Sequence, residues 1–279
     1  MSDRPSAASR GDVVIATYNV LAHAYVRADR YPGIDPAIFD RTSRESAIAE
    51  RVRHLAADVV CLQEVERGMF ASLTTALAPD GYVGCFEKKG GSRPDGCAVF
   101  FRGPRVRLLG TARLDYADLH GTNGAPSGHV ALLARFACRT PQGERELVVA
   151  GTHVRWAPPD LAPEEHVGHR QTVLLAERLA NEIGARADVV ACGDFNATHD
   201  SHVLAPLLAL GLVDAYASCP TATACANGHA SRIDFLLGGA ALVAEPVPLP
   251  HLDDDASLPR SGEPSDHLPL AAAFTFARD

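Results

Sequence analysis

Six apolar runs of this 279-residue sequence begin or end on side chains that can do chemistry. Asn19 closes Thr-Tyr-Asn-Val-Leu-Ala, Gln63-Glu64 closes Val-Val-Cys-Leu, and Thr152-His153 closes Leu-Val-Val-Ala-Gly. Asp194 and Asn196 follow Val-Val-Ala-Cys-Gly, Asp234 opens Phe-Leu-Leu, and Asp266-His267 precedes Leu-Pro-Leu. A carboxylate, amide or imidazole buried against such runs is costly unless it is paired or bound to a cation. Six interruptions of this kind predict one convergent polar cluster.

Oxygens of Asn, Asp and Glu are hard ligands that suit Mg²⁺ or Mn²⁺, ions that keep some water and accept phosphate oxygens. No Cys/His spacing of the zinc kind is present, and Cys192 near Asp194 reads as packing. His153 and His267, each beside a hydroxyl or acidic residue, suit stabilising or protonating a phosphoryl oxygen. Metal-assisted hydrolysis of a phosphate ester is the chemistry this inventory supports. Each signal alone has an ordinary alternative. Gly-Asp-Phe-Asn can be a turn closed by an Asx bond, Ser265-Asp266 a turn cap, His153 a satisfied core histidine, and Glu64 the partner of an arginine. Their joint occurrence at the ends of core strands favours a single site.

The elements that must position these residues follow from periodicity. Short β-branched runs predict strands at 12–20, 58–65, 96–102, 130–138, 146–154, 188–192, 233–237 and 268–276. Most are continuously apolar, as expected of strands covered on both faces. Helical spacing predicts helices at 43–55, 68–77, 164–183 and 201–210, the third with Pro163 before it and Gly184 after it. Strands without intervening helices from about residue 82 to 154 imply antiparallel hairpins. The fold class is therefore α+β, with stacked sheets flanked by helices. Residues 1–11 read as a flexible N-terminus ahead of one domain, 12–279. The stretch 245–265, rich in Pro and Asp, reads as a surface loop, and its Asp253-Asp254-Asp255 run as solvated.

Composition narrows the partners. Hydrophobic residues make up 47% and charged residues 22%, which excludes a disordered chain. The N-terminus has no apolar core of a signal peptide, and no apolar run approaches a membrane span, so a cytoplasmic protein without membrane contact is expected. The seven scattered cysteines read as reduced thiols. The net charge of −8 argues against an extended grip on nucleic acid, though not against phosphate chemistry, because metal ions can neutralise carboxylates. Lys88 and Lys89, the only lysines, read as residues of a glycine-containing loop.

The series Tyr18-Asn19, Leu62-Gln63-Glu64-Val65, Asp95-Gly96-Cys97-Ala98, Gly151-Thr152-His153, Gly193-Asp194-Phe195-Asn196, Ile233-Asp234-Phe235 and Ser265-Asp266-His267 resembles the endonuclease/exonuclease/phosphatase superfamily. The resemblance spans residues 12–276 and implies a four-layered α/β sandwich with its site at the top of two packed sheets. Within the superfamily the sequence looks most like the deadenylase branch, which includes nocturnin and the 2′,5′-phosphodiesterases. It carries Thr17 to Ala22, Val60 to Glu66, Asp95 to Phe101, His153-Val154-Arg155-Trp156 with Pro158, and Asp194 to Asp200 in common with that branch.

By that resemblance Glu64 is the principal metal ligand, with Asn19 beside it and Asp266 as a second metal-site carboxylate. Asp194 orients or deprotonates the attacking water, and Asn196 holds the scissile phosphate. His153 and His267 stabilise the pentacovalent phosphorus, with Asp234 aligning His267. The implied activity is that of a Mg²⁺- or Mn²⁺-dependent phosphodiesterase or 3′-exoribonuclease on RNA or short oligonucleotides, with a small nucleotide or dinucleotide as the alternative substrate. A non-catalytic scaffold is disfavoured because Glu64, Asp194 and His267 are all present. Arg155, Pro158 and His229 fall at substrate-binding positions, and Arg93 and Arg170 are further candidate phosphate cations. Two departures stand out. In deadenylases a proline and an aromatic residue sandwich the terminal adenine; Pro158 matches the proline, but His229 replaces the aromatic. His129 stands where the branch often has Asn. No docking repeat is seen and no obligate protein partner is implied.

Overall fold

The computed structural model describes residues 11–27, 30–31, 33–116, 127–219, 221–226, 228–252, 256 and 258–277. Residues 1–10 and the Asp253-Asp254-Asp255 run lie outside the described residues. In chain order the first strands are β1 (Val13–Asn19), β2 (Val59–Glu66), β3 (Val83–Lys88), β4 (Asp95–Phe101), β5 (Val106–Asp115), β6 (Val130–Thr140) and β7 (Gly143–His153). They continue with β8 (Asp188–Asp194), β9 (Val213–Asp214), β10 (Ala224–Ala226), β11 (His229–Ser231), β12 (Asp234–Gly238), β13 (Leu242–Pro246) and β14 (Leu270–Phe276). The helices are α1 (Arg41–Leu55), α2 (Arg67–Leu77), α3 (Val167–Gly184) and α4 (Ala205–Ala209).

Two six-stranded mixed sheets result, in the orders β13-β14-β1-β2-β4-β3 and β5-β6-β7-β8-β12-β9. Alternation along each strand divides its side chains between two cores. Val13 and Ile15 of β1 face the opposite sheet, where they share a core with Val149, Val190 and Leu236. Val14, Ala16 and Tyr18 face outward onto Ile48 and Val52 of α1 and Met69 and Leu73 of α2. On the second sheet Val148, Ala150, Val189 and Leu237 pack against Leu175 and Leu179 of α3 and Leu207 of α4. Four layers, helix–sheet–sheet–helix, therefore account for the continuous apolar runs. The sheets approach closely where β2 meets β7: a Cβ at Gly151 would stand 3.0 Å from Cys61 Cβ.

The chemistry collects on one edge for a topological reason. β1 and β2 are parallel with α1 between them, and β7 and β8 are parallel with α3 between them. Their carboxyl ends carry Asn19 and Glu64 in one sheet, His153 and Asp194 in the other. Antiparallel neighbours start where these strands finish. Asp234 opens β12 opposite Asp194, Asp95 opens β4 opposite Glu66, and Asp266-His267 precede β14, which pairs with β1. Carboxyl ends of parallel strands are where open α/β sheets bind ligands.

The predicted strands and helices are present with shifted ends, apart from one. The helix predicted over 201–210 is only Ala205–Ala209, because Pro206 can occupy only its first turn. The third helix starts at Val167 behind an N-cap His166, and Gly184 is its last residue rather than the one after it. β3, β5, β9, β10, β11 and β13 were not among the predicted strands; β3 and β5 are edge strands, the first half-buried and the second mostly exposed. All seven cysteines are free thiols. No described helix is long and apolar enough to cross a membrane.

Candidate active site

Glu64 owes its position to a bulge. The β2–β4 register shifts between Leu62 and Val65, and Glu64 takes φ +60°, a left-handed conformation unfavourable for a side chain with a Cβ. Its Oε2 accepts from Ala22 N–H at 2.9 Å and its Oε1 accepts from Asn19 Nδ2 at 3.2 Å. The same Asn19 amide donates to Asp194 Oδ2 at 2.9 Å, so one side chain spans the two sheets. Asn196 is also left-handed, at φ +50°; its N–H donates to Asp194 Oδ1 at 2.8 Å and its Nδ2 to Val154 O at 2.9 Å. Gly193 has φ +142°, and a Cβ there would sit 1.9 Å from Thr152 O. Glycine is obligatory at that turn into Asp194.

Two imidazoles flank the Asp194 carboxylate. His153 Nε2 lies 3.6 Å and His267 Nε2 3.8 Å from Asp194 Oδ2. Their charge states diverge. Burial and the Lys89 ammonium hold His153 well below the ordinary imidazole value, so it is neutral. His267 also suffers burial, but its Nδ1–H donates to Asp234 Oδ2 at 2.9 Å, and the Asp234 and Asp194 charges lift it well above the ordinary value. Asp234 Oδ2 accepts a second bond from Thr223 Oγ1 at 2.7 Å, which fixes the carboxylate and the imidazole behind it. Burial pushes Asp194 up to about 7, against the opposing pull of His267 and the Asn19 and Asn196 hydrogen bonds. Glu64 is raised as well, by burial first and by Asp266 in addition, while Lys89 lowers it.

Asp266 takes a hydrogen bond from Tyr31 OH at 3.0 Å, and the adjacent Ser265 Oγ donates to Asn19 O at 2.7 Å. Eight sequence-predicted residues therefore share this edge: Asn19, Glu64, His153, Asp194, Asn196, Asp234, Asp266 and His267. Arg155, Pro158 and His229 stand outside the hydrogen-bond network among the described residues. Pro158 and His229 are exposed, and the Arg155 N–H is held by Gln171 Oε1 at 2.8 Å. Arg93 Nε donates to Ser127 O at 2.9 Å, and Arg170 Nη1 to Glu164 O at 2.7 Å. His129 is buried beside His153, its Nδ1 donating to His153 O at 2.8 Å.

Lys88 ends β3, while Lys89 does lie in the β3–β4 loop but is buried in the site. Lys89 is 2% exposed, with Nζ 2.6 Å from Asp95 Oδ2 and 3.2 Å from His153 Nδ1. Tyr25 OH donates to Asp95 Oδ1 at 2.7 Å and completes that buried group. One signal was available for Lys89. In a chain whose strong cations outside the Lys88-Lys89 pair are all arginine, a lysine just past a strand marks a place that suits a compact ammonium.

This geometry has relatives. A model of the Endonuclease/Exonuclease/phosphatase family matches residues 16–267. The chain belongs to that family. Among curated proteins, this endonuclease/exonuclease/phosphatase chain is 25% identical to Carbon catabolite repressor protein 4 homolog 4 of Arabidopsis thaliana, covering 95% of this chain and 78% of the relative. It is 27% identical to human 2′,5′-phosphodiesterase 12 over 67% of this chain and 34% of that protein. It therefore spans only about a third of the human relative's length. Among solved structures, ANGEL2, a 2′,3′-cyclic phosphatase in complex with adenosine-2′,3′-vanadate, superposes with a TM-score of 0.79 at 20% identity, covering 94% of this chain and 95% of that one. The human Nocturnin catalytic domain gives 0.72 at 25% identity, with 95% and 93% covered. The four-layered sandwich is the fold these structures share, and the chain is, like its relatives, a hydrolytic enzyme.

Proposed function

We propose that this enzyme is a Mg²⁺-dependent phosphoric ester hydrolase, Mn²⁺ serving in its place, that acts as a phosphodiesterase or 3′-exoribonuclease on RNA or short oligonucleotides. One observation carries the reading: the His153 and His267 imidazoles flank a single Asp194 oxygen at 3.6 and 3.8 Å, with Glu64 joined to the same carboxylate through Asn19.

The donor set fits a hard divalent ion. Glu64 is raised by burial and by a neighbouring carboxylate, and among the described residues no lysine or arginine forms a direct ion pair with it. Excess buried negative charge of this kind is relieved by a bound cation. Glu64 and Asp266 would hold the ion, with Asn19 beside them. Such an ion, when bound, supplies Lewis-acid polarisation of a phosphoryl oxygen.

The remaining steps belong to the protein. Asp194, in its ionised form, orients the water and accepts its proton at Oδ2. His267, held as a cation by Asp234, donates a hydrogen bond to the oxygen on which charge develops as the water oxygen bonds to phosphorus and the ester P–O bond breaks, the leaving oxygen taking a proton from solvent. Asn196 holds the phosphate from the other side, next to His153, whose neutral ring carries no competing positive charge.

A second reading takes a small nucleotide, dinucleotide or cyclic nucleotide as substrate. It is favoured by the net charge of −8, which offers no extended track for a phosphate backbone, and by the adenosine-2′,3′-vanadate ligand of ANGEL2. The test is incubation with labelled oligoadenylate, mixed-sequence RNA, dinucleotides and adenosine 2′,3′-cyclic phosphate under Mg²⁺. Stepwise shortening of RNA supports the first reading. Turnover of the small compounds alone supports the second, and turnover of none rejects both.

A further inference from the structure

Arg44, the fourth residue of α1, is 1% exposed, and among the described residues its guanidinium forms no ion pair with a carboxylate. Its Nε donates to Pro264 O at 3.0 Å, and its Nη2 to Val20 O at 2.8 Å and Leu21 O at 2.6 Å. Its Nη1 faces His23 Nδ1 at 3.0 Å. Burial disfavours the charge, while the Asp266 and Glu64 carboxylates act the other way from a distance. A buried cation without a counter-charge in contact is costly, so its presence calls for a task that an apolar side chain could not perform.

The carbonyls it holds belong to peptide groups whose far sides hold the site. A peptide unit is planar and trans, so fixing its C=O also fixes the direction of the N–H across the same bond. Val20 O shares its peptide with Leu21 N–H, which donates to Asn19 Oδ1 at 3.0 Å. Leu21 O shares its peptide with Ala22 N–H, which donates to Glu64 Oε2 at 2.9 Å. Leu21 itself is left-handed at φ +54°, a conformation that a Cβ disfavours and that must be held from outside. Pro264 directly precedes Ser265, whose Oγ donates to Asn19 O at 2.7 Å, and Asp266 follows. One guanidinium therefore grips from behind both the turn bonded to Asn19 and Glu64 and the segment that carries Asp266.

We propose that Arg44 is a positioning residue for the divalent cation: through these three carbonyls it sets the spacing between Glu64 and Asp266, and with it the affinity for Mg²⁺. This role rests on the metal-dependent reading above and extends it to a residue that touches neither ion nor substrate. Three carbonyls on two segments need donors fixed in one plane, which a guanidinium supplies and an ammonium does not. An effect of charge alone has the opposite sign. A buried cation repels a divalent ion nearby, so its removal would tighten Mg²⁺ binding.

The experiment is a calorimetric Mg²⁺ titration of the whole protein without substrate, on wild type, Arg44→Met, Arg44→Lys and Arg51→Gln. Arg51 also ties α1 to the segment before Asp266, its Nε 3.1 Å from Glu263 Oε2, but it is bonded there to a side chain and to none of the three carbonyls. Arg44→Met is expected to weaken Mg²⁺ binding about 10- to 100-fold, as loss of a group that orients metal ligands does. Arg44→Lys keeps the charge without the fork and should leave most of that loss, whereas Arg51→Gln should lower the melting temperature without moving Mg²⁺ affinity. Unchanged or tighter binding in Arg44→Met, full rescue by Arg44→Lys, or an equal loss in Arg51→Gln overturns the proposal. A measurement on wild type needs no variant to fold: Mg²⁺ saturation should slow hydrogen exchange of the Arg44 Nε–H in NMR spectra, and an unchanged rate also overturns it. The two levels separate cleanly. Mg²⁺ binding by wild type with indifferent Arg44 variants rejects the role of Arg44 alone, whereas a wild type that binds no Mg²⁺ rejects the metal-dependent reading itself.

Discussion

Lys89 Nζ stands 3.2 Å from Nδ1 of His153, while 2.6 Å away Asp95 Oδ2 takes its other hydrogen bond. On the other side of the ring Asn196 Nδ2 lies 3.1 Å from Nε2, so both nitrogens of the imidazole face donors, a setting that disfavours its protonated form. After burial, Lys89 is the largest influence holding His153 neutral.

Replacing Lys89 by Met removes the charge that depresses His153, so the His153 titration moves upward. It also leaves the buried Asp95 with the Tyr25 hydroxyl but no counter-charge, a change that costs about 3–5 kcal/mol. The Lys89→Met/Asp95→Asn double variant avoids the lone charge and keeps the fold for measurement. NMR titration of the His153 ring should show the raised midpoint in the double variant, with activity down roughly 10²-fold or more. An unmoved midpoint would show that burial alone controls the imidazole.

Glu64→Gln is expected to abolish turnover by several orders of magnitude without lowering metal-free stability, because a carboxylate raised by burial gains nothing from its charge in the absence of a cation. The wild-type protein should melt higher in Mg²⁺ and the variant should not, since a ligand that binds only the folded state stabilises it by mass action. Paired thermal melts with and without Mg²⁺ read this directly. A Mg²⁺ shift that survives in Glu64→Gln would remove Glu64 from the ion's ligands.

The pH dependence of Asp194 has a definite sign. Its folded value, about 7, lies above the ordinary 3.8, so the native state binds this proton more tightly than the unfolded chain. Its stabilising contribution is complete below 3.8 and is lost as pH rises through 7. Metal-free wild-type protein should therefore lose stability relative to Asp194→Asn between those limits, as followed by urea denaturation at stepped pH. A flat difference would contradict the raised value. Activity runs the other way in the absence of other changes, because the water-orienting form is the ionised one.

Gly193→Ala pushes a methyl group against the Thr152 carbonyl at 1.9 Å, with the backbone at φ +142°. Backbone on both sides of that clash belongs to β7 and β8, so relaxation must separate the strands. A loss of about 3 kcal/mol or more is expected in chemical denaturation, together with lost activity from the adjacent Asp194.

Much of this site could be read from the sequence because its residues sit at the ends of apolar runs. Asn19, His153 and Asp194 each close a strand whose two faces are buried, and a polar residue there contrasts with everything before it. Asp266 and His267 were visible for the mirrored reason, at the entry to β14. Lys89 was not, since a lysine among glycines resembles any surface loop until β4 and His153 close over it. Tyr25 and Tyr31 were equally hidden, in a segment without periodicity, although their hydroxyls anchor Asp95 and Asp266. The bulge at Glu64 left no trace either, for a left-handed glutamate is spelled like any other. Of the fold, the inner strands were legible from their continuous apolar character, whereas the edge strands lack it: β3 is only half-buried and β5 is mostly exposed.

The Asn19 amide reaches a carboxylate 175 residues away, across the seam where Cys61 and Gly151 leave little slack between the sheets. The catalytic apparatus thus works like a clasp, closed only while both halves of the sandwich keep their alignment. Enlarging a side chain in that seam would slow turnover from a distance, by sliding one half of the clasp past the other.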